Sequence, residues 1–184
     1  MKICVIGSGY VGLVSGACFS ELGNNVICVD NNKQKVENLK KGIVPIYEPG
    51  LEELILRNKR QRRLSFSSDI NNSIKKSDII FISVGTPTNK NSNQANLKYV
   101  FKVVDKIKKN LNKYKIIVTK STVPVSTGDK IEKKLGANKK NRNFDVISNP
   151  EFLREGEAIR DFMFPDRVVI GTNSKKANNI MKSL

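Results

Sequence analysis

The stretch Lys2–Asp30, reading KICVIGSGYVGLVSGACFSELGNNVICVD, constrains the fold more than any other part of the chain. An apolar run over Ile3–Ile6 meets Gly7, Gly9 and Gly12. A helical pattern through Val11, Val14, Ala17, Cys18 and Leu22 follows, and a second apolar run, Val26–Val29, closes on Asp30. This predicts strand, glycine turn, helix, strand and acid. Gly7 permits a tight turn, Gly9 lets backbone come close to a pyrophosphate, and Gly12 lets the helix pack close to the sheet. Ser8, Tyr10 and Val11 complete the turn, whose free N–H groups and helix dipole attract an anion. Asp30, at the tip of the second strand, is placed to accept hydrogen bonds from adenosine ribose hydroxyls and to repel a 2′-phosphate. A lone glycine triplet also marks ordinary turns, but here all the parts agree on dinucleotide binding, with NAD favoured over NADP.

The remaining chain repeats the alternation. Lys33–Lys41 is a short helix ended by Gly42. Lys35 is placed either to reach the adenosine ribose or a phosphate, or simply to be a solvated surface lysine. IVPIYEPGLEELI bends at its prolines and Gly50 before a helix with apolar Leu51, Leu54 and Ile55. Leu64–Phe66 is a short third strand, and Asp69 caps a helix over Ile70–Lys76. Asp78–Val84 is a near-continuous apolar strand, as expected where both faces are buried. It runs into Gly85, Thr86, Pro87 and Thr88, at the strand end where open α/β sheets bind ligands, though a plain turn is the alternative. Asn89–Ala95 is a polar loop, and Tyr99, Val103, Ile107 and Leu111 mark an amphipathic helix. Lys115–Thr119 is a fifth strand leading to Ser121, Thr122 and Val123. A further helix starts at Ser126 or Thr127. Asp145–Ser148 is a sixth strand, followed by NPEFLREG, and Val168–Ile170 is a seventh.

Such alternation calls for an α/β fold with a doubly wound, mostly parallel sheet of Rossmann type, in the order 3-2-1-4-5-6. Gly7–Gly12, Gly85–Thr88, Ser121–Val123 and Glu151–Glu155 are then expected around one crevice. Residues 1–172 form a single cofactor domain, and 173–184 open a helix leading onward.

Composition narrows the class. With 39% hydrophobic and 27% charged residues over 184 positions, the chain reads as a soluble globular protein. Its apolar runs are strand-sized and its N-terminus enters a strand directly, so a cytoplasmic, non-membrane protein is expected. Cys4, Cys18 and Cys28 have no metal-ligand spacing and read as core. The absence of histidine removes histidine-based zinc sites and Ser-His triads. A net charge of +16, dense at Arg57–Arg63, Lys106–Lys115 and Lys133–Arg142, admits a nucleic-acid partner. The runs carry few aromatics and match no nucleic-acid motif, so solvated helix faces are the preferred reading.

IGSGYVG, PIYEPGLEEL, FISVGTPT, KSTVPVSTGD, SNPEFLREGEAI and FPDRVVIG, in this order, resemble the N-terminal domain of the UDP-glucose 6-dehydrogenase family of nucleotide-sugar dehydrogenases. The wording of PIYEPGL and PDRVVIG is closer to these than to relatives acting on GDP-mannose or UDP-N-acetylmannosamine. The resemblance implies oxidation of UDP-glucose to UDP-glucuronate in two NAD-dependent steps through a cysteine thioester, by an enzyme that is homodimeric at full length. It implies that Gly7–Gly12, Asp30 and Lys35 hold the adenosine and pyrophosphate. Gly85, Thr86, Pro87, Thr88, Ser121, Thr122 and Val123 would line the nicotinamide side, and Glu155 would touch the cofactor. Glu151, assisted by Thr122, resembles the proton acceptor. Glu151, Phe152, Leu153, Arg154 and Glu155 would border the sugar nucleotide. A carboxylate in a crevice suits proton transfer where no histidine exists, although an acid after Pro150 interacting with a helix dipole is the simpler alternative.

The family's nucleophile lies in a GGxCxPKD-type segment that this sequence does not contain. The chain is therefore expected to bind NAD without completing the oxidation alone. A free-standing NAD-binding regulatory module is the competing reading.

Overall fold

The computed structural model describes residues 1–89, 94–136 and 143–184. The asparagine-rich loop and the basic run ending at Arg142 thus fall partly outside the described residues. Strands β1 (Lys2–Ile6), β2 (Asn25–Val29), β3 (Leu64–Ser67), β4 (Ile79–Ile82), β5 (Lys115–Thr119) and β6 (Phe144–Ser148) form one sheet in the order β3-β2-β1-β4-β5-β6. All neighbours are parallel; Ile3, for example, pairs with Val26 on one side and Ile79 on the other. Between them run α1 (Tyr10–Glu21), α2 (Lys33–Lys41), α3 (Leu51–Arg60), α4 (Ile70–Lys76), α5 (Lys98–Lys109) and α6 (Thr127–Leu135). After β6 come α7 (Ala158–Met163) and α8 (Lys175–Lys182).

The central strand β4 is apolar and buried throughout, and β1 is so after Lys2, because both faces of the sheet are covered there. Ile3, Val5, Phe81 and Val118 face one cluster with residues of α1, α3 and α8, whereas Cys4, Ile6, Ile80 and Ile117 face another with α4, α5 and α6. Element ends follow local chemistry. Asn32 and Asp69 accept the amides of Lys35 and Asn72 at 3.0 and 3.1 Å, capping α2 and α4. Gly42, with φ of 90°, stops α2 in a left-handed turn.

The expected seventh strand does not form. Val168–Ile170 stays outside the sheet, and beyond it only Gly171 meets β6, through an antiparallel bridge to Ser148. The Asn149 side-chain amide donates to the Val169 carbonyl at 2.8 Å, so a side chain takes an acceptor that a strand would offer to a ladder. Helix α7 is an addition to the sequence reading; Phe162 anchors it by standing edge-on to Phe19 at 4.9 Å. Helix α8, capped by Ser174, turns Ala177 and Met181 into the same core as α1. No helix among the described residues is long and apolar enough to cross a membrane.

Candidate functional site

The carboxyl ends of β1, β4 and β5 carry the glycine and hydroxyl turns. At the first, Gly7 has φ of +104°, and a Cβ there would lie 2.5 Å from the Ser83 carbonyl oxygen. A Cβ on Gly12 would lie 1.8 Å from the Gly7 carbonyl oxygen, so α1 packs onto its own turn as closely as backbone permits. Gly9 differs: a Cβ there meets nothing within 4 Å, and the residue is exposed. The helix that Gly9 opens has no side-chain cap and no acid in its first turn, so its leading amides remain available to an anion.

Asp30 lies beside the turn. Its Oδ2 accepts the Ser8 amide at 3.0 Å and the Lys35 ammonium at 3.2 Å, and its Oδ1 accepts the Asn32 amide at 3.0 Å. Burial pushes this carboxyl up, but the Asn32 and Ser8 amides and the Lys35 charge outweigh it and hold Asp30 below the usual range. Lys35 is thus not a free surface lysine; it is paired with the acid. The clear space over Gly9, the uncapped amides and this ionised acid together fit a dinucleotide with an unphosphorylated ribose.

The second and third turns meet. Thr86 donates from Oγ1 to the Thr122 carbonyl at 2.8 Å, and Ser121 donates to the Val84 carbonyl at 2.7 Å. Gly85, Pro87 and the Thr122 side are exposed around this junction. Thr88 is drawn aside into a bridge with Ala95, and Val123 packs against the core on the α5 side of the sheet.

The segment after β6 divides between two surroundings. Its end is fastened to the glycine turn: the Tyr10 hydroxyl lies 3.3 Å from the Arg154 carbonyl and accepts the Gly156 amide at 3.3 Å. Its start lines a cavity of about 970 Å³, bordered by Glu151, Phe152, Leu153 and Arg154 with Lys120 and Asn149. Val11 and Thr122 do not border that cavity, and no hydrogen bond between Thr122 and Glu151 occurs among the described residues. Glu151 accepts the Leu153 amide at 2.7 Å through Oε2. Arg154 is occupied by Asp161 through its amide, Nε and Nη2, and this pairing holds the Asp161 carboxyl down to about 2. Glu155 is exposed beside Tyr10.

Sequence reasoning passed over two residues. Lys120 is 6% exposed; its ammonium reaches Asn149 Oδ1 at 3.1 Å and lies 5.7 Å from the Phe162 ring centre. Burial pushes it down to about 8, against the attraction of Glu151. A lysine following directly on the apolar run KIIVT at a central strand tip was the available signal. Glu48, 5% exposed, was hidden inside the quoted PIYEPGL. The cysteines behave as expected of core residues. All are buried and free, and burial pushes the Cys18 and Cys28 thiols up to about 12 and that of Cys4 further.

The sequence of this chain matches, over residues 1–184, the model of the UDP-glucose/GDP-mannose dehydrogenase family, NAD binding domain. It is 52% identical over 184 residues to UDP-glucose 6-dehydrogenase TuaD of Bacillus subtilis (strain 168), covering 100% of this chain and 40% of that protein. It is 47% identical over 183 residues to UDP-glucose 6-dehydrogenase of Rhizobium meliloti (strain 1021), covering 98% and 42%. The chain thus spans about two-fifths of the length of these relatives. Its fold superposes on a UDP-glucose dehydrogenase from Pyrobaculum islandicum with a TM-score of 0.91 at 38% identity, over 97% of this chain and 42% of that one. It superposes on GDP-mannose dehydrogenase from Pseudomonas aeruginosa with a TM-score of 0.93 at 36% identity, over 100% and 43%. Fold likeness therefore does not separate the sugars. A glycine turn with open space over Gly9, an acid hydrogen-bonded to that turn from the tip of β2 and a family match along the whole sequence agree: the chain belongs to the UDP-glucose/GDP-mannose dehydrogenase family, of which it is the NAD binding domain.

Proposed function

We propose that this chain is the NAD-holding half of a UDP-glucose 6-dehydrogenase, and that the nucleophilic cysteine and most sugar contacts come from outside its residues. The observation that carries this reading is the packing of segment 151–158 against the first turn of α1, where the Tyr10 hydroxyl meets the Arg154 carbonyl and the Gly156 amide, so that the segment beginning at Glu151 ends on the glycine turn. Gly7–Gly12 would receive the pyrophosphate, Asp30 with Lys35 the adenosine ribose, and the Thr86–Thr122 junction with Ser121 the nicotinamide side. Bound NAD would supply the acceptor for hydride in two successive oxidations of a sugar alcohol.

The chain's own contribution is binding, orientation and proton handling. Through Oε2, Glu151 accepts the Leu153 amide, which orients its other oxygen as the acceptor for a proton from a hydroxyl or a water. The buried Lys120 ammonium borders the same cavity. Phe152 and Leu153 offer apolar surface at the cavity edge, while the exposed Arg154, tied to Asp161, shapes the segment. The stretch from Lys175 would lead on to the sugar-binding half, and pairing of full-length subunits would take place there.

The test is a chimera in which residues 1–184 replace the matching part of the Bacillus subtilis relative. It should reduce NAD with UDP-glucose, at two NAD per sugar, while the 184-residue chain alone should not. A chimera that folds and binds UDP-glucose but neither binds nor reduces NAD would overturn the role given to this chain. UDP-glucuronate made by the isolated chain would overturn the division of labour.

A further inference from the structure

Glu48 lies between α2 and α3, just before Gly50, and is 5% exposed. A carboxylate so placed is costly unless its oxygens are satisfied. No lysine or arginine pairs with it among the described residues. Three donors from distant parts of the chain satisfy it instead. The Tyr10 hydroxyl donates to Oε2 in a short hydrogen bond, the Gly156 amide donates to Oε2 at 2.8 Å, and the Ala158 amide donates to Oε1 at 2.9 Å. Tyr10 belongs to the glycine turn, and Gly156 and Ala158 close the segment that begins at Glu151.

The consequence is mechanical. Remove the acceptor and two backbone amides and a phenol lose their common partner, leaving Tyr10 only its weaker 3.3 Å contacts to Arg154 and Gly156. Charged acceptors hold such donors more strongly than neutral ones. Phe162 on Phe19 would still hold the far end of α7, so the loosening would be confined to residues near 151–158.

We propose that Glu48 is a positioning residue, fastening segment 151–158 to the cofactor turn so that filling the turn and ordering the segment are coupled. This rests on the reading of Gly7–Gly12 as the seat of the pyrophosphate. Coupling is reciprocal: a segment held in place favours NAD, and NAD favours a segment held in place.

The test compares the chain with Glu48→Gln, which keeps the shape but exchanges one acceptor oxygen for a donor, and with Glu48→Asp, which keeps charge and acceptors at shorter reach. NAD affinity is measured by calorimetry and amide exchange at Gly156 and Ala158 by NMR, each with and without NAD. In the parent chain NAD should slow exchange at both amides by about tenfold. In Glu48→Gln affinity should fall by about fivefold or more and the slowing should vanish, with Glu48→Asp in between. The Tyr10 phenol, pushed up to about 12 by burial and then by Glu48, should titrate lower in Glu48→Gln, read by phenolate absorbance. Leu135→Ala, which weakens the fold from α6, should change neither affinity nor the NAD-dependent slowing. If Glu48→Gln does not fold, Tyr10→Phe, which removes only the phenol donor, should also reduce the slowing. A parent chain that binds NAD while Glu48→Gln binds equally well with the same slowing overturns the coupling alone. A parent chain that fails to bind NAD overturns the cofactor reading and the coupling together.

Discussion

Gly9 and Gly12 stand three positions apart in one turn, yet adding a methyl to each should do opposite things. At Gly12 the new Cβ would sit 1.8 Å from the Gly7 carbonyl oxygen, where an ordinary carbon–oxygen contact is about 3.3 Å or more. The obstacle is backbone, so the turn must open by more than an ångström. Overpacking of this kind costs about 3 kcal/mol, and the better helix propensity of alanine returns about 1 kcal/mol. The net of about 2 kcal/mol lowers the melting temperature by about 4–8 °C for a chain of this size. At Gly9, with φ of −75°, the backbone suits any residue and the methyl meets nothing within 4 Å. Stability should stay within about 1 kcal/mol. The methyl would, however, stand where a pyrophosphate must approach, at a cost of about 1–3 kcal/mol, or about five- to 150-fold in NAD affinity. Calorimetry, scanning for stability and isothermal for NAD, separates the two. Gly12→Ala melting within about 1 °C of the parent would refute the close approach, and Gly9→Ala binding NAD unchanged would refute the seat of the pyrophosphate.

Asp30→Ala should weaken NAD binding and relieve the repulsion of a 2′-phosphate, so the ratio of NADP to NAD affinity should rise; an unchanged ratio, measured by calorimetry with both cofactors, would contradict the role of the acid. Lys120 has a folded-state pKa of about 8 against an ordinary 10.5, so between these values the unfolded chain holds the extra proton and stability should rise with pH. The gain is on the order of 3 kcal/mol at most; it is complete above about 10.5, is lost as pH falls through about 8, and should be missing from urea titrations of Lys120→Met. Cys4, Cys18 and Cys28 are buried, with thiols pushed up by burial, so a disulfide reagent should label the folded chain negligibly and all of them in denaturant.

The parallel sheet and its order were legible because their signals are local. Apolar runs, the Gly7–Gly12 turn and caps such as Asp69 each act within a few residues, and right-handed crossovers do the rest. The region after β6 was harder to read. Val168–Ile170 is too short an apolar run for length to decide between strand and extended coil, and its outcome turned on the Asn149 side chain. Helix α7 has no strong periodicity and depends on Phe19 and Glu48, which are remote in sequence. The candidate site divided in the same way. Spacing singled out Asp30 as a candidate, and the fold joins Ser8 and Lys35 to it, whereas Lys120 and Glu48 matter through partners that only the fold supplies.

Amide chemical-shift mapping during a titration of the 184-residue chain with NAD tests most directly whether the strand tips form one cofactor crevice. The amides of Ser8–Gly12, Asn32, Thr86 and Ser121–Val123 should move together along one binding curve, with those of α4 and the outer face of α5 unmoved. Shifts confined to the basic ends of α3 and α5, with the glycine turn silent, would mean that NAD is held by surface charge and that the crevice is not its site.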